Sequence, residues 1–141
     1  MWVAEAAAET AARPDTVWSL WADVAHWPSC DPSIVSSTLK GPCAAGVHGV
    51  LTLQRGPRAD FTVTSLEPGV AFVSQTRLPC ARRDVRHALL PIAAGTRIVH
   101  RVEINGPLAA LFGRLLGPEM RRMLPNAVAN LARRASEELA R

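Results

Sequence analysis

Tyrosine is absent from this chain of 141 residues, lysine occurs once, at Lys40, and cysteine occurs three times. Each shortage excludes something. Without tyrosine there is no phenol to donate to an enolate oxygen, a usual way of steadying such an intermediate. Cys30, Cys43 and Cys80 are odd in number and form no CxxC pair, so neither a disulfide framework nor a zinc site is expected. No apolar run approaches the roughly 18 residues of a membrane span. The opening MWVAEAAAETA has neither a basic segment nor a continuous apolar one, which argues against a secretory signal and for a cytoplasmic protein. GxGxxG, GxxxxGK, HExxH and GxSxG patterns are missing too, so no nucleotide, flavin or other cofactor and no serine-hydrolase chemistry is expected. The net charge is +4, but the arginines are scattered and not interleaved with aromatic platforms. They read as solvated faces, not as a nucleic-acid surface.

Hydrophobic residues make up 48% and charged residues 20% of the chain, a globular composition. The length fits one domain spanning 1–141 that needs no staples. Residues 2–10 read as a strand. Pro14 suits the first position of a helix, where its missing N–H costs nothing, and Val17, Leu20, Trp21 and Val24 follow with the spacing of a buried stripe. Pro28 and Pro32 stop that helix, leaving HWPSCDP as a turn or a single broken helical turn. From Ser33 to Asn105 the pattern is strand after short strand, SIVSSTLK, GVLTLQ, RADFTVTSLE, VAFVSQTRL, RRDVRHALL and GTRIVHRVEI, cut by glycine and proline. Connections this short force antiparallel neighbours. From Pro107 the period lengthens: Leu108, Leu111, Phe112 and Leu115 open an apolar stripe that Met120, Met123, Leu124, Ala127, Val128 and Leu131 continue. This predicts a long amphipathic helix lying on the sheet, bent or broken near Gly117 and Arg121 by Pro118 and Pro125.

Strand alternation identifies the chemical candidates. Val85, His87 and Leu89 share one face of their strand, and Ile98, His100, Val102 and Ile104 share one face of the next. Pairing Leu89 with Ile98 and Val85 with Val102 closes a four-residue loop at Ile92 to Gly95 and sets His87 across from His100 on an apolar side. Two such imidazoles are able to orient a ligand carbonyl or to act as acid and base; the alternative is a pair of half-buried structural histidines. The carboxylates Asp84 and Glu103 have the opposite parity, so no metal site is expected. The same logic places Val63 near Phe72 and Phe61 near Ser74. Cys30 reads as a packed thiol, since no histidine frames it.

The stretches ARPDTVWSLWADVAHWPSCDPSI, FTVTSLEPGVAF and GTRIVHRVEINGPLAALFGRLLG, in that order and spacing, resemble the polyketide cyclase/dehydrase-like branch of the START-related, Bet v 1-like superfamily, often called SRPBCC. The resemblance implies an α+β helix-grip fold: a seven-stranded antiparallel sheet curled around a long C-terminal helix, with a short helix pair between the first two strands. It also implies an internal cavity for a hydrophobic small molecule. Trp21 and Trp27 would seal one end, and Phe61, Val63, Phe72, Val85, His87, Leu89, Ile98, His100 and Val102 would face it from the sheet. Phe112, Leu115, Met120, Met123 and Leu124 would face it from the helix. Relatives carry a second aromatic where this chain has Cys30. Because the superfamily contains carriers, receptors, cyclases and chaperone co-factors, three functions are implied. The favoured one is binding of a lipid or polyketide-like molecule by a monomer or weak dimer. The others are a cyclase, aromatase or dehydratase using His87 and His100, and a partner-binding accessory protein.

Overall fold

The computed structural model describes residues 1–24, 27–30, 34–53 and 58–139. Strand β1 (Trp2–Thr10) leads into helices α1 (Pro14–Ala22) and α2 (Trp27–Cys30). Six strands follow: β2 (Ile34–Leu39), β3 (His48–Leu53), β4 (Ala59–Glu67), β5 (Ala71–Leu78), β6 (Ala81–Ile92) and β7 (Gly95–Asn105). Helix α3 (Ala109–Leu139) closes the chain. The strands form one antiparallel sheet in the order β1-β7-β6-β5-β4-β3-β2. The meander is thus completed by β1, which returns to pair with β7. The sheet curls round α3 as the helix-grip fold requires. Pro32, Gly56 and Pro57, expected to punctuate the chain, lie outside the described residues.

Local chemistry accounts for the elements. Pro14 occupies the start of α1 and Asp15 sits in its first turn, where a carboxylate complements the helix dipole. Val17 and Trp21 are buried on the inward face of α1. Thr96 anchors the junction between β1 and α1, its hydroxyl donating to the Ala12 carbonyl at 2.7 Å from a fully buried position. Hairpin β6–β7 runs in unbroken register from Arg82 opposite Asn105 to Ile92 opposite Gly95. Leu89 faces Ile98, Val85 faces Val102 and His87 faces His100, as alternation predicts, but the loop is two residues and not four, because Ile92 and Gly95 themselves pair and only Ala93 and Ala94 lie outside the ladder.

Two expectations are corrected. Phe72 pairs with Leu66, not Val63, and Ser74 pairs with Val63, not Phe61, because the register of β4 shifts between Val63 and Ser65. That bulge inserts one residue, so the inward parity passes from Phe61 and Val63 to Leu66. Helix α3 is the second case. It runs from Ala109 to Leu139 as one helix with Pro118 and Pro125 inside it, so neither proline breaks it. Its first half also turns a different face to the sheet. Ala109, Gly113 and Gly117 are buried, whereas Leu108, Leu111 and Leu115 are exposed, Leu115 at 66%. The cause is Trp2, whose indole occupies the space under this part of the helix and leaves room only for small residues. At about 100° per residue, Leu111 and Leu115 are carried to the far side. Beyond Met120 the predicted stripe holds, with Leu124, Val128 and Leu131 buried.

The core lies between the sheet, α1 and the second half of α3. Val17, Trp21, Phe72, Leu89, Ile98, Val128, Leu131 and Ala135 form its largest cluster. The outer face of the sheet is polar. There Arg101 bridges Glu5 at 3.2 Å and Glu103 at 3.1 Å, and Asp84 accepts from Gln75 at 2.9 Å. This is the face to which alternation assigned Asp84 and Glu103.

Candidate functional site: an apolar pocket with a polar floor

Between the curled sheet and α3 lies a partly open pocket of about 200 Å³. The sheet contributes Phe61 from β4, Ser74 and Thr76 from β5, Arg83, Val85 and His87 from β6, and His100 and Val102 from β7. These residues meet because cross-strand partners project to one side: Ser74 pairs with Val85, Thr76 with Arg83 and His87 with His100. Helix α3 supplies Met120, Met123, Leu124, Ala127 and Leu131, while Trp21 and Trp27 come from the helix pair.

Aromatic rings fix the end of the pocket nearest α1. The His87 ring stacks on Phe72, its cross-strand partner on β5, at 4.2 Å between centroids and 10° between planes. His100 meets His87 edge-on at 4.6 Å. Trp21 covers both imidazoles at 5.6 Å and 5.9 Å. Trp27 stacks on Phe61 at 5.9 Å and donates its indole N–H to the Trp21 carbonyl at 3.0 Å. Helix α2, a single turn that contains Pro28, therefore presents Trp27 to the pocket from a position tied to the end of α1. The Cys30 side chain lies outside the described residues.

The electrostatics follow from burial. His100 is held at about 4 because the pocket wall removes the water that would solvate an imidazolium. His87 is pushed well below the ordinary 6.5, first by burial and then by the neighbouring His100; the backbone at Phe72 and Val85 opposes the shift. At neutral pH the pair is uncharged, and each ring offers one donor and one acceptor. Nδ1 of His87 and Nε2 of His100 are buried without a hydrogen-bond partner. So is Nε of Arg83, whose guanidinium is lowered from its ordinary value by burial. Among the described residues no three histidine, cysteine or carboxylate side chains converge as metal ligands would.

Ten of the sixteen residues expected at a cavity do line this pocket: Trp21, Trp27, Phe61, Val85, His87, His100, Val102, Met120, Met123 and Leu124. Val63, Phe72, Leu89 and Ile98 point inward but are consumed by the core behind the wall. Phe112 is half-buried away from the pocket, and Leu115 is excluded by the rotation of α3. Sequence reasoning placed Ser74 on the inward face but did not count it at the site, and it missed Arg83 and Thr76, together with the apolar lining residues Leu20, Ile34, Leu51, Ala127 and Leu131. The signal for the polar three was present: Arg83 is two residues before Val85, and Ser74 and Thr76 share the parity of Phe72. The inward face of β6 begins at Arg83, opposite Thr76, one alternate position before Val85.

Residues 1–140 match the family described as polyketide cyclase/dehydrase and lipid transport. The chain belongs to that family. No curated protein matches it in sequence. Solved structures of the same shape include the Zhui aromatase/cyclase from a Streptomyces strain, at TM-score 0.78 and 15% identity over 97% of this chain and 94% of that one. A START superfamily protein from Mycobacterium smegmatis aligns at TM-score 0.72 and 16% identity over 97% and 98% of the two chains. Norcoclaurine synthase from Thalictrum flavum aligns at TM-score 0.71 and 13% identity over 97% and 95%. At these identities the likeness is one of fold, which is the helix grip. Among the described residues no helix is long and apolar enough to cross a membrane.

Proposed function

We propose that this family member binds a compact, predominantly apolar small molecule in the pocket between its sheet and α3, working in the cytoplasm as a monomer or weak dimer. The observation that carries the reading is the pair of orphaned imidazole nitrogens, His87 Nδ1 and His100 Nε2, set in a wall that is otherwise mostly hydrocarbon and indole. An unmet buried polar atom costs about 1–3 kcal/mol, which a ligand oxygen or N–H would relieve. The volume favours a small molecule, since about 200 Å³ falls below the roughly 300–1,000 Å³ of drug-sized sites.

The family description and the two facing imidazoles also support a second reading, cyclisation or dehydration with the pair as acid and base. Proton affinity weighs against it. A general base works best with a value near the operating pH, and His100 at about 4 is a weak one. Binding is therefore preferred.

Extraction of small molecules that co-purify with the protein from its native host, read by mass spectrometry, tests the proposal, followed by His100→Leu. For a binder the substitution leaves affinity for the recovered compound within about tenfold. A loss of turnover of about 10² to 10⁴ with binding retained would establish the acid–base reading instead. Recovery of no compound, together with a co-purifying protein, would favour the accessory role.

A further inference from the structure

Among the described residues Arg83 is the one charged side chain in the pocket wall, and no aspartate or glutamate lines the pocket with it. Among the described residues Arg83 makes no ion pair. Its neighbours Arg82 and Asp84 pair with each other at 3.4 Å on the opposite face of the strand. A cation in an apolar wall without a counter-ion is an unfavourable arrangement, since buried charges are normally paired. Arginine cannot escape by shedding its proton, as a lysine does. The polar groups beside it are neutral hydroxyls: Thr76 is its direct cross-strand partner, and Ser74 is opposite Val85 one step along the same wall. A guanidinium with hydroxyl donors at its side matches a carboxylate in geometry and in charge.

From this geometry we infer that the ligand is an amphipathic acid whose carboxylate docks at Arg83 and Thr76. The inference rests on the pocket being a binding site, and it specifies the ligand's charge and orientation. Arg83 and His87 are four residues apart on an extended strand, about 13 Å along its axis at roughly 3.3 Å per residue. Between them the floor is Val85 and Val102, roofed by Met120 and Leu124 from α3. The pocket is thus anionophilic at one end, apolar in the middle and furnished with uncharged donors and acceptors at the His87–His100 end. The matching molecule has a carboxylate, a hydrocarbon or aromatic body, and a neutral oxygen function at the far terminus. A neutral apolar molecule would leave the Arg83 charge unmet, and an amine would oppose it.

The test compares charged and neutral versions of the same shapes at neutral pH. 3-Phenylpropanoate, 2-naphthoate and decanoate are titrated by calorimetry and by quenching of Trp21 and Trp27, alongside their primary amides. The expected result is that acids bind roughly ten- to a hundredfold more tightly than their amides, the worth of a charge-assisted hydrogen bond. Arg83→Gln and Arg83→Met should both erase that preference, weakening the acids far more than the amides. Arg83→Met should also melt no lower than the parent, because an unpaired, half-buried charge gives way to a side chain suited to the wall. Equal binding of acids and amides by the parent protein would overturn the carboxylate assignment while leaving a neutral-ligand pocket standing. Preference for acids that persists in both variants would also overturn it, because the anion would then be held elsewhere. Absence of binding by every acid and amide up to its solubility limit would overturn the pocket reading and the carboxylate with it.

Discussion

The Trp2 indole lies against the bare backbone of Gly113: a Cβ placed there would fall 2.6 Å from the ring and 3.1 Å from the Trp2 Cβ. Gly117, one turn further, leaves more room, at 3.0 Å or more. Arg121 continues the column, its guanidinium 5.0 Å from the indole centroid. Gly113→Ala should therefore lose stability, since overpacking costs about 1–3 kcal/mol and alanine's better helix propensity returns only about 1 kcal/mol. Gly117→Ala should stay within about 0.5 kcal/mol of the parent, the same propensity gain offsetting a milder contact. Urea denaturation distinguishes them, and Trp2→Leu should restore Gly113→Ala. A Gly113→Ala protein as stable as the parent would mean that α3 does not rest on Trp2.

Acidification should destabilise the fold through its buried imidazoles. Both are held below the ordinary histidine value, so below about pH 6.5 the unfolded chain takes up protons that the folded chain refuses. The stability contributed by a neutral pair is complete above about pH 6.5 and is lost as pH falls toward about 4, with a ceiling of roughly 3 kcal/mol from His100. Melting temperatures measured across this range should fall more steeply for the parent than for His100→Gln. Parallel curves would place the ring in water.

Trp27 is expected to matter through packing more than through its N–H. Trp27→Ala removes the stack on Phe61 and should cost about 3 kcal/mol, the lower end for a large aromatic because the residue is only half-buried. Trp27→Phe keeps a ring and loses the bond to the Trp21 carbonyl, for about 1 kcal/mol. If the alanine variant melts like the parent but no longer binds ligand, the residue belongs to the recognition surface alone.

Truncation before Pro107 should abolish cooperative unfolding. Helix α3 supplies Leu124, Val128, Leu131 and Ala135 to the core, and each large apolar side chain contributes about 1.5–3 kcal/mol when buried. A soluble fragment with a sharp melt would show that the sheet does not need its grip.

The β6–β7 hairpin was legible because nothing interrupts its period: Val85, His87 and Leu89 alternate faithfully, and a two-residue turn sets their partners. Strand β4 was not. Its bulge past Val63 changes parity within a run whose composition gives no sign of it, so the partners of Phe61 and Phe72 were misplaced. In α3 a hydropathy stripe favoured Leu111 and Leu115 over glycine, although a glycine face fits wherever a large ring lies beneath. Which ring that would be depends on Trp2, more than a hundred residues earlier. Arg83 was overlooked for a simpler reason. One of two adjacent arginines must face inward on a strand, and charge argues for the surface until cross-strand pairing decides.

The pairing of β1 with β7 sets a clock on the nascent protein. Trp2 finds its partner Ile104 only after about a hundred residues have been made, roughly 5–20 s at ribosomal rates. Throughout that interval β1 is an unpaired alanine-rich strand, and Glu5 and Glu9 are its only charges. Charge on an open strand discourages association with another chain. When β7 arrives, the same two carboxylates pair with Arg101 and Arg97, so the residues that keep the strand solitary during synthesis then help seat it.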